Sequence, residues 1–174
     1  MFEARLSRTF FRKLAAWAGG ATLLMASLTA QASIVYSINR IIGSGTVQGT
    51  ITTDGTIGVL QNVNILSWSI TVAHQNLVAG SPQSMSSASG IGAGFISGDA
   101  LVATSTDLIF NYSDPDFDYF SLSEGANAYW CSVSQGGVCN SSLLGGAESV
   151  GYMSSADLPF EQTHSGRTSI ASAS

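Results

Sequence analysis

Between Ile34 and Met153 apolar and polar residues alternate with a period of two, in short runs bounded by Gly, Asp, Asn or Ser. Successive strand side chains point to opposite sides, so "IVYSINRII" places Ile34, Tyr36, Ile38 and Ile42 on one face. "LSWSITVAH" sets Leu66, Trp68, Ile70 and Val72 against Ser67, Ser69 and Thr71. In "GTVQGTITTDGTIGVL" two β-prone runs flank Asp54-Gly55. A type I′ turn needs positive φ at both central residues, so this pair predicts a hairpin joining antiparallel neighbours. "ALVATS", "DLIFNYS", "DYFSLS", "AYWCSV" and "ESVGYM" supply further short strands, and only "VLQNVNILSW" has room for a helical turn. "GSPQSMSSASGIGAGFISG" (Gly80 to Gly98) reads as a loop or weak edge strand, and the polar end from Ser154 as a disordered tail. The pattern predicts an all-β, antiparallel β-sandwich, jelly-roll-like, over residues 33–153, with a tail over 154–174.

The beginning of the chain has another character. Arg5, Arg8, Arg12 and Lys13 precede the apolar run "LAAWAGGATLLMASLTA", and small residues follow at Ala30 and Ala32. This is the layout of a cleaved signal peptide over residues 1–32, with cleavage between Ala32 and Ser33. The run is short for a membrane span, and Gly19 and Gly20 weaken it. Thr9 stands where a twin-arginine signal needs its second arginine, so the general secretory route is expected.

Removing that leader changes the charge. Of six basic residues only Arg40 and Arg167 remain, and the loss of Glu3 from eleven acidic residues leaves ten. A surface so acidic repels phosphate backbones, which argues against nucleic acid as a partner. No segment of the mature chain is long and apolar enough to span a membrane as a helix. The location expected is secreted or periplasmic. In an exported chain, the two cysteines of "YWCSVSQGGVCNSS" read as a Cys131–Cys139 disulfide closing a short loop.

The succession "GTITTDGTIGVLQNVNILSWSITV", "TSTDLIFNYSD" and "YFSLSEGANAYWC", followed by a second cysteine, resembles a family of uncharacterised exported bacterial proteins. Many of its members carry a C-terminal PEP-CTERM sorting signal. The resemblance covers roughly Val35 to Tyr152 and implies secretion and a β-rich domain; it brings no catalytic residues. After Met153 there is no Pro-Glu-Pro, no apolar helix and no terminal arginine cluster, so anchoring by that route is not expected.

Candidate chemistry is sparse. Asp114, Asp116 and Asp118 alternate in "NYSDPDFDYF" and are a candidate calcium site, although the EF-hand pattern fails at Tyr119 and Gly125. Asp-Pro-Asp is also an ordinary turn sequence. His74 and His164 have no partners at catalytic or metal-binding spacing, and no G-x-S-x-G frame holds a serine. The only lysine is Lys13, which excludes lysine nucleophiles and a P-loop from the mature chain. Asp99, Asp107, Glu124 and Glu148 are carboxylates that glycoside cleavage would need to bring together in pairs. Trp68 belongs to a core face; Tyr129 and Trp130, adjacent and so on opposite faces, are candidates for a glycan-binding surface. The sequence therefore predicts a non-catalytic envelope or extracellular-matrix protein with a structural or adhesive role, its partners exopolysaccharide or cell-surface components. The alternatives are a carbohydrate- or calcium-binding module and a secreted hydrolase.

Overall fold

The computed structural model describes residues 31–74, 82–89, 92–124, 128–135, 146–151 and 160–174. Residues 1–30 of the expected leader, Cys139, and residues 154–159 of the expected tail lie outside that set. Within it the chain forms strands β1 (Ile34–Ile42), β2 (Gly45–Thr53), β3 (Gly58–Val59), β4 (Ile65–His74), β5 (Gln83–Ser86), β6 (Gly92–Ser97) and β7 (Leu101–Ala103). There follow β8 (Asp107–Asn111), β9 (Tyr119–Glu124), β10 (Ala128–Val133), β11 (Ala147–Gly151), β12 (Phe160–Thr163) and β13 (Arg167–Ala173). An eight-stranded sheet has the order β3-β7-β8-β13-β1-β2-β4-β5, and a five-stranded sheet the order β12-β11-β10-β9-β6. Every pairing is antiparallel, and the two sheets pack face to face as an all-β sandwich. Among the described residues no helix is long and apolar enough to cross a membrane.

Period-two patterning accounts for the core. Tyr36, Ile38 and Ile42 of β1, Val47 and Ile51 of β2, and Trp68, Ile70 and Val72 of β4 are all buried on one side of the large sheet. They meet Ile96, Phe120, Leu122, Trp130 and Val150 from the small sheet. Phe120 and Trp130 pack edge to face, with ring centroids 5.3 Å apart, a geometry that aromatic quadrupoles favour. Gly94 lets β6 lie close on this layer: a Cβ there would stand 3.2 Å from both Leu122 Cδ2 and Trp68 Nε1.

Two expectations are overturned. Asp54-Gly55 does not close a hairpin, because β2 pairs with β1 and β4 while β3 pairs with β7 at the far edge of the sheet. The turn chemistry is nevertheless local and strong. Asp54 Oδ1 accepts from the Thr56 amide at 2.9 Å, Asp54 Oδ2 accepts from Asn64 Nδ2 at 3.0 Å, and the Asp54 amide donates to the Asn64 carbonyl. These bonds clasp the start of the connection to the short 3-10 turn Asn62–Asn64 and steer the chain away from its neighbour. The two-residue hairpin is instead Gly43-Ser44, where Ile42 faces Gly45 and Gly43 has φ 58°.

The second correction concerns the chain end. Residues 160–163 and 167–174 are not a disordered tail: β12 adds to β11, and β13 lies between β8 and β1 in the large sheet. A polar sequence suffices there because β13 places Ile170 and Ala171 in the core while Arg167, Ser169, Ser172 and Ala173 face water. Gly80 to Gly98 does supply edge strands, β5 on the large sheet and β6 on the small one. Deleting Arg167–Ser174 removes an interior strand and exposes two edges. The shortened chain is expected to lose cooperative thermal unfolding by circular dichroism; an unchanged transition would place β13 outside the sheet.

Candidate functional site

The face of β1 that carries Tyr36, Ile38 and Ile42 also carries Arg40, and a guanidinium aimed between two sheets needs a partner. Glu148 provides it from β11 on the opposite sheet. Its side chain is fully buried, and it accepts from Arg40 Nη2 at 2.5 Å and from Arg40 Nε at 3.2 Å. Trp130 lies beside it on the same inner face and donates its indole N–H to Glu148 Oε1 at 2.8 Å. His164 Nε2 lies 3.0 Å from Glu148 Oε2. Arg40 Nη1 donates to the Ser169 carbonyl at 2.9 Å, which ties β13 into the same cluster.

Tyr112 completes it. Its ring stacks on His164 with centroids 4.5 Å apart, and its hydroxyl lies 3.0 Å from Ser132 Oγ. The Tyr112 amide donates to the Gly166 carbonyl, and the Gly166 amide donates to Ser113 Oγ, so the turn that carries His164 is pinned to the end of β8. Burial pushes the Glu148 carboxyl up, but the hydrogen bonds from His164, Arg40 and Trp130, with the charge of Arg40, outweigh it and hold the group below its usual range. Burial likewise lowers Arg40, and the bond and charge of Glu148 more than restore it. Burial, with the negative charge of Glu148, pushes the Tyr112 phenol up. The cluster is an anion with a fully buried side chain, saturated by cationic and neutral donors, of which Arg40 and His164 keep a partial exposure to solvent.

The acidic turn lies elsewhere, where the chain crosses between sheets at β6–β7 and β8–β9. The carboxylates that converge are Asp99, Asp114 and Asp118, each offering an oxygen within 4.8 Å of the others. Asp116, expected in this group, does not belong to it. Its amide bonds Asp114 Oδ1 in an Asx turn that leaves its side chain exposed. Asp118 is buried, and its Oδ2 accepts from the Asp99 and Ala100 amides at 2.8 and 2.9 Å, which makes it a backbone clamp. Gly98 allows this: its φ is 78°, and a Cβ would fall 1.6 Å from Asp118 Oδ1. The Asp118 carboxyl, and then the charge of Asp114, push the Asp99 carboxyl up. Asp99, Asp114 and Asp118 are thus the three carboxylates that the fold brings within reach of one cation, with Asp118 also fastening the corner through two backbone amides.

The aromatic pair is also corrected. Trp130 is in the core, and Tyr129, on the opposite face as alternation requires, is only 2% exposed in a second small cluster with Cys131, Val133 and Ala147. Both faces of β10 and β11 are buried, so neither ring offers a surface to a sugar. Among the described residues the exposed aromatics are Phe95, Phe117 and Tyr119. The structure does not gather the other carboxylates: Asp107 is fastened outside the sandwich to the hydroxyls of Thr106, Ser169 and Ser172, while Glu148 lies within it. His74 ends β4 opposite Gly45. Ala32 and Ser33 are exposed just before β1. No described cysteine carries a free thiol, and Cys131 is buried on β10.

Sequence reasoning passed over Arg40 as a site residue and set His164 in a tail. A signal for Arg40 was present: it holds an even position on the apolar face of "IVYSINRII", where an unpartnered cation is too costly to persist. No protein-family model matches the chain, and no curated protein or solved structure matches it.

Truncating Glu148 to Ala strands Arg40 and the Trp130 N–H, and a loss of about 3–5 kcal/mol is expected in urea unfolding. The folded pKa of Glu148 lies below its unfolded value. Its contribution is therefore complete above the unfolded carboxylate range, about pH 4.3, and is lost as pH falls through the folded value. Glu148→Gln is expected to flatten that acid limb of a stability–pH curve; an unchanged limb would assign it to other carboxylates.

Proposed function

We propose that this is an exported, non-catalytic protein of the cell envelope or extracellular matrix, with a structural or adhesive role. One observation carries the reading. The side chains best suited to chemistry, Arg40, Glu148, His164 and Tyr112, are bonded to one another between the sheets, and the carboxylate of Glu148 is fully buried behind Arg40 and His164, with no open face for a substrate. A carboxylate with its lone pairs occupied by such donors braces two sheets and has no capacity left to act as base or nucleophile. The export-type leader and the resemblance to exported β-rich bacterial proteins support the same reading.

Protein purified from periplasm or culture medium is expected to be retained on intact cells of the producing bacterium or on its isolated exopolysaccharide; recovery entirely in the unbound fraction from both would overturn the proposal. Export also implies an oxidised chain, and Cys139 is the only other cysteine available to Cys131. Thiol titration of the denatured protein is expected to find none before reduction and both after it. Two free thiols at the outset would remove the disulfide and weaken the case for an oxidising compartment.

A further inference from the structure

The outer face of the large sheet is a surface of unusual composition for so acidic a chain. Strand registers place Asp107, Ser172, Ser37, Thr50, Ser69 and Ser86 side by side across β8, β13, β1, β2, β4 and β5. The adjacent row is Asn39, Gln48, Thr71 and Ser84. Val35 and Ile41, both exposed, flank the rows on β1. The outward positions of β1, β2, β4 and β5 bear no charge, although the whole chain has a net charge of −5. Gln48 donates to Asn39 Oδ1, and Thr71 shares a bond with Ser84, whereas Ser37, Thr50 and Ser69 form no hydrogen bond with another side chain among the described residues. The nine pairs between β1 and β2 run without a register break, so the ladder is continuous.

We propose that this face docks an uncharged polysaccharide chain, a partner that deepens, and rests on, the matrix reading above. The choice follows from what each partner would leave unsatisfied. An anionic polymer finds no counter-charge on β1, β2, β4 or β5 and meets the Asp107 carboxylate at the end of the row, and a cationic one finds that single carboxylate alone. An apolar surface would strip water from rows of hydroxyls and amides and return no hydrogen bonds. A second copy of the chain would bring another body of the same net charge to strands β1, β2, β4 and β5, whose outward positions carry no cation to offset it. A neutral glycan offers hydroxyls that both donate and accept, matched to Ser, Thr, Asn and Gln, and ring C–H faces that can cover Val35 and Ile41.

Microcrystalline cellulose and cross-linked dextran serve as neutral probes, with carboxymethyl-cellulose as the charged counterpart. The purified exported protein is expected to be retained on at least one neutral matrix and not on carboxymethyl-cellulose. Ser37→Glu with Ser69→Glu, which puts unpaired charges in the middle of the ladder, is expected to weaken retention about tenfold or more. Gln48→Glu, nearly isosteric, is expected to weaken it in the same direction, and Ser105→Glu, on the exposed β7–β8 turn, to leave it unchanged. Circular dichroism and thermal midpoints check that each variant is folded; should the double variant fail to fold, Gln48→Glu decides. Equal retention of wild type and folded Gln48→Glu would overturn the proposal, as would retention on carboxymethyl-cellulose alone. Self-association in analytical ultracentrifugation that these variants abolish, with no retention on either neutral matrix, would also overturn it and make the occupant a second copy. Binding to the bacterium's own exopolysaccharide that these variants do not alter removes this face while the matrix reading stands; no binding to cells or exopolysaccharide at all removes both.

Discussion

The pairing of Arg40 with Glu148 across the interior is the constraint on which the rest of the sandwich depends. A carboxylate with a fully buried side chain is tolerated only if it is met by donors, and here the donors come from separate parts of the chain: Arg40 from β1, Trp130 from β10, and His164 from the turn between β12 and β13. Each also has a second attachment. Arg40 reaches the Ser169 carbonyl of β13, Trp130 packs on Phe120 of β9, and His164 stacks on Tyr112 at the end of β8. The carboxylate thus fixes how the two sheets are placed against each other. Apolar packing alone specifies this poorly, because apolar contacts are non-directional. A well-packed apolar replacement of such a pair is often equally stable, so the directional bonds rather than added stability are what distinguish it from apolar packing.

Much of the fold was legible because its strands obey one rule. The expected bounds of β1 match those observed, and Trp68, Ile70 and Val72 take the core face that alternation assigned to them. Failures came where a local signal had to be turned into a long-range one. Asp54-Gly55 is a turn, but a turn sequence does not say which strands it joins, and the bonds from Asp54 to Thr56 and Asn64 send the chain across the sheet. The end of the chain misled for a related reason. "RTSIASA" buries only Ile170 and Ala171, too little for a strand that must stand alone, yet enough for one supported by β8 and β1. Low hydrophobicity signals disorder only when no neighbours supply the backbone bonds.

The candidate site was legible in kind but not in membership. The acidic turn is an organised feature, but it recruits Asp99 from a distant corner and excludes Asp116, since proximity follows the crossing of the chain between sheets, not spacing along it. Tyr129 and Trp130 do point to opposite faces, but alternation says nothing about whether the outer face of a strand is covered, and at β10 both faces are. Arg40 is the instructive omission. One charged residue on an otherwise apolar face implies an opposite charge facing it, and Glu148 in "GAESVG" lies in a segment that also reads as a strand.

The placement of polar groups separates stability from recognition. The buried charge of Glu148 is neutralised by pairing with Arg40, and three further carboxylates gather at the crossings, where Asp118 and Asp114 bind amides of the turns. The broad outer face of β1, β2, β4 and β5 is left to uncharged donors and acceptors. Folding does not require that choice: outward strand positions face water and tolerate lysine or glutamate, which also guard a sheet against unwanted association. A chain that leaves these outward positions uncharged, while remaining acidic elsewhere, repels anionic partners and offers them no counter-charge on this face.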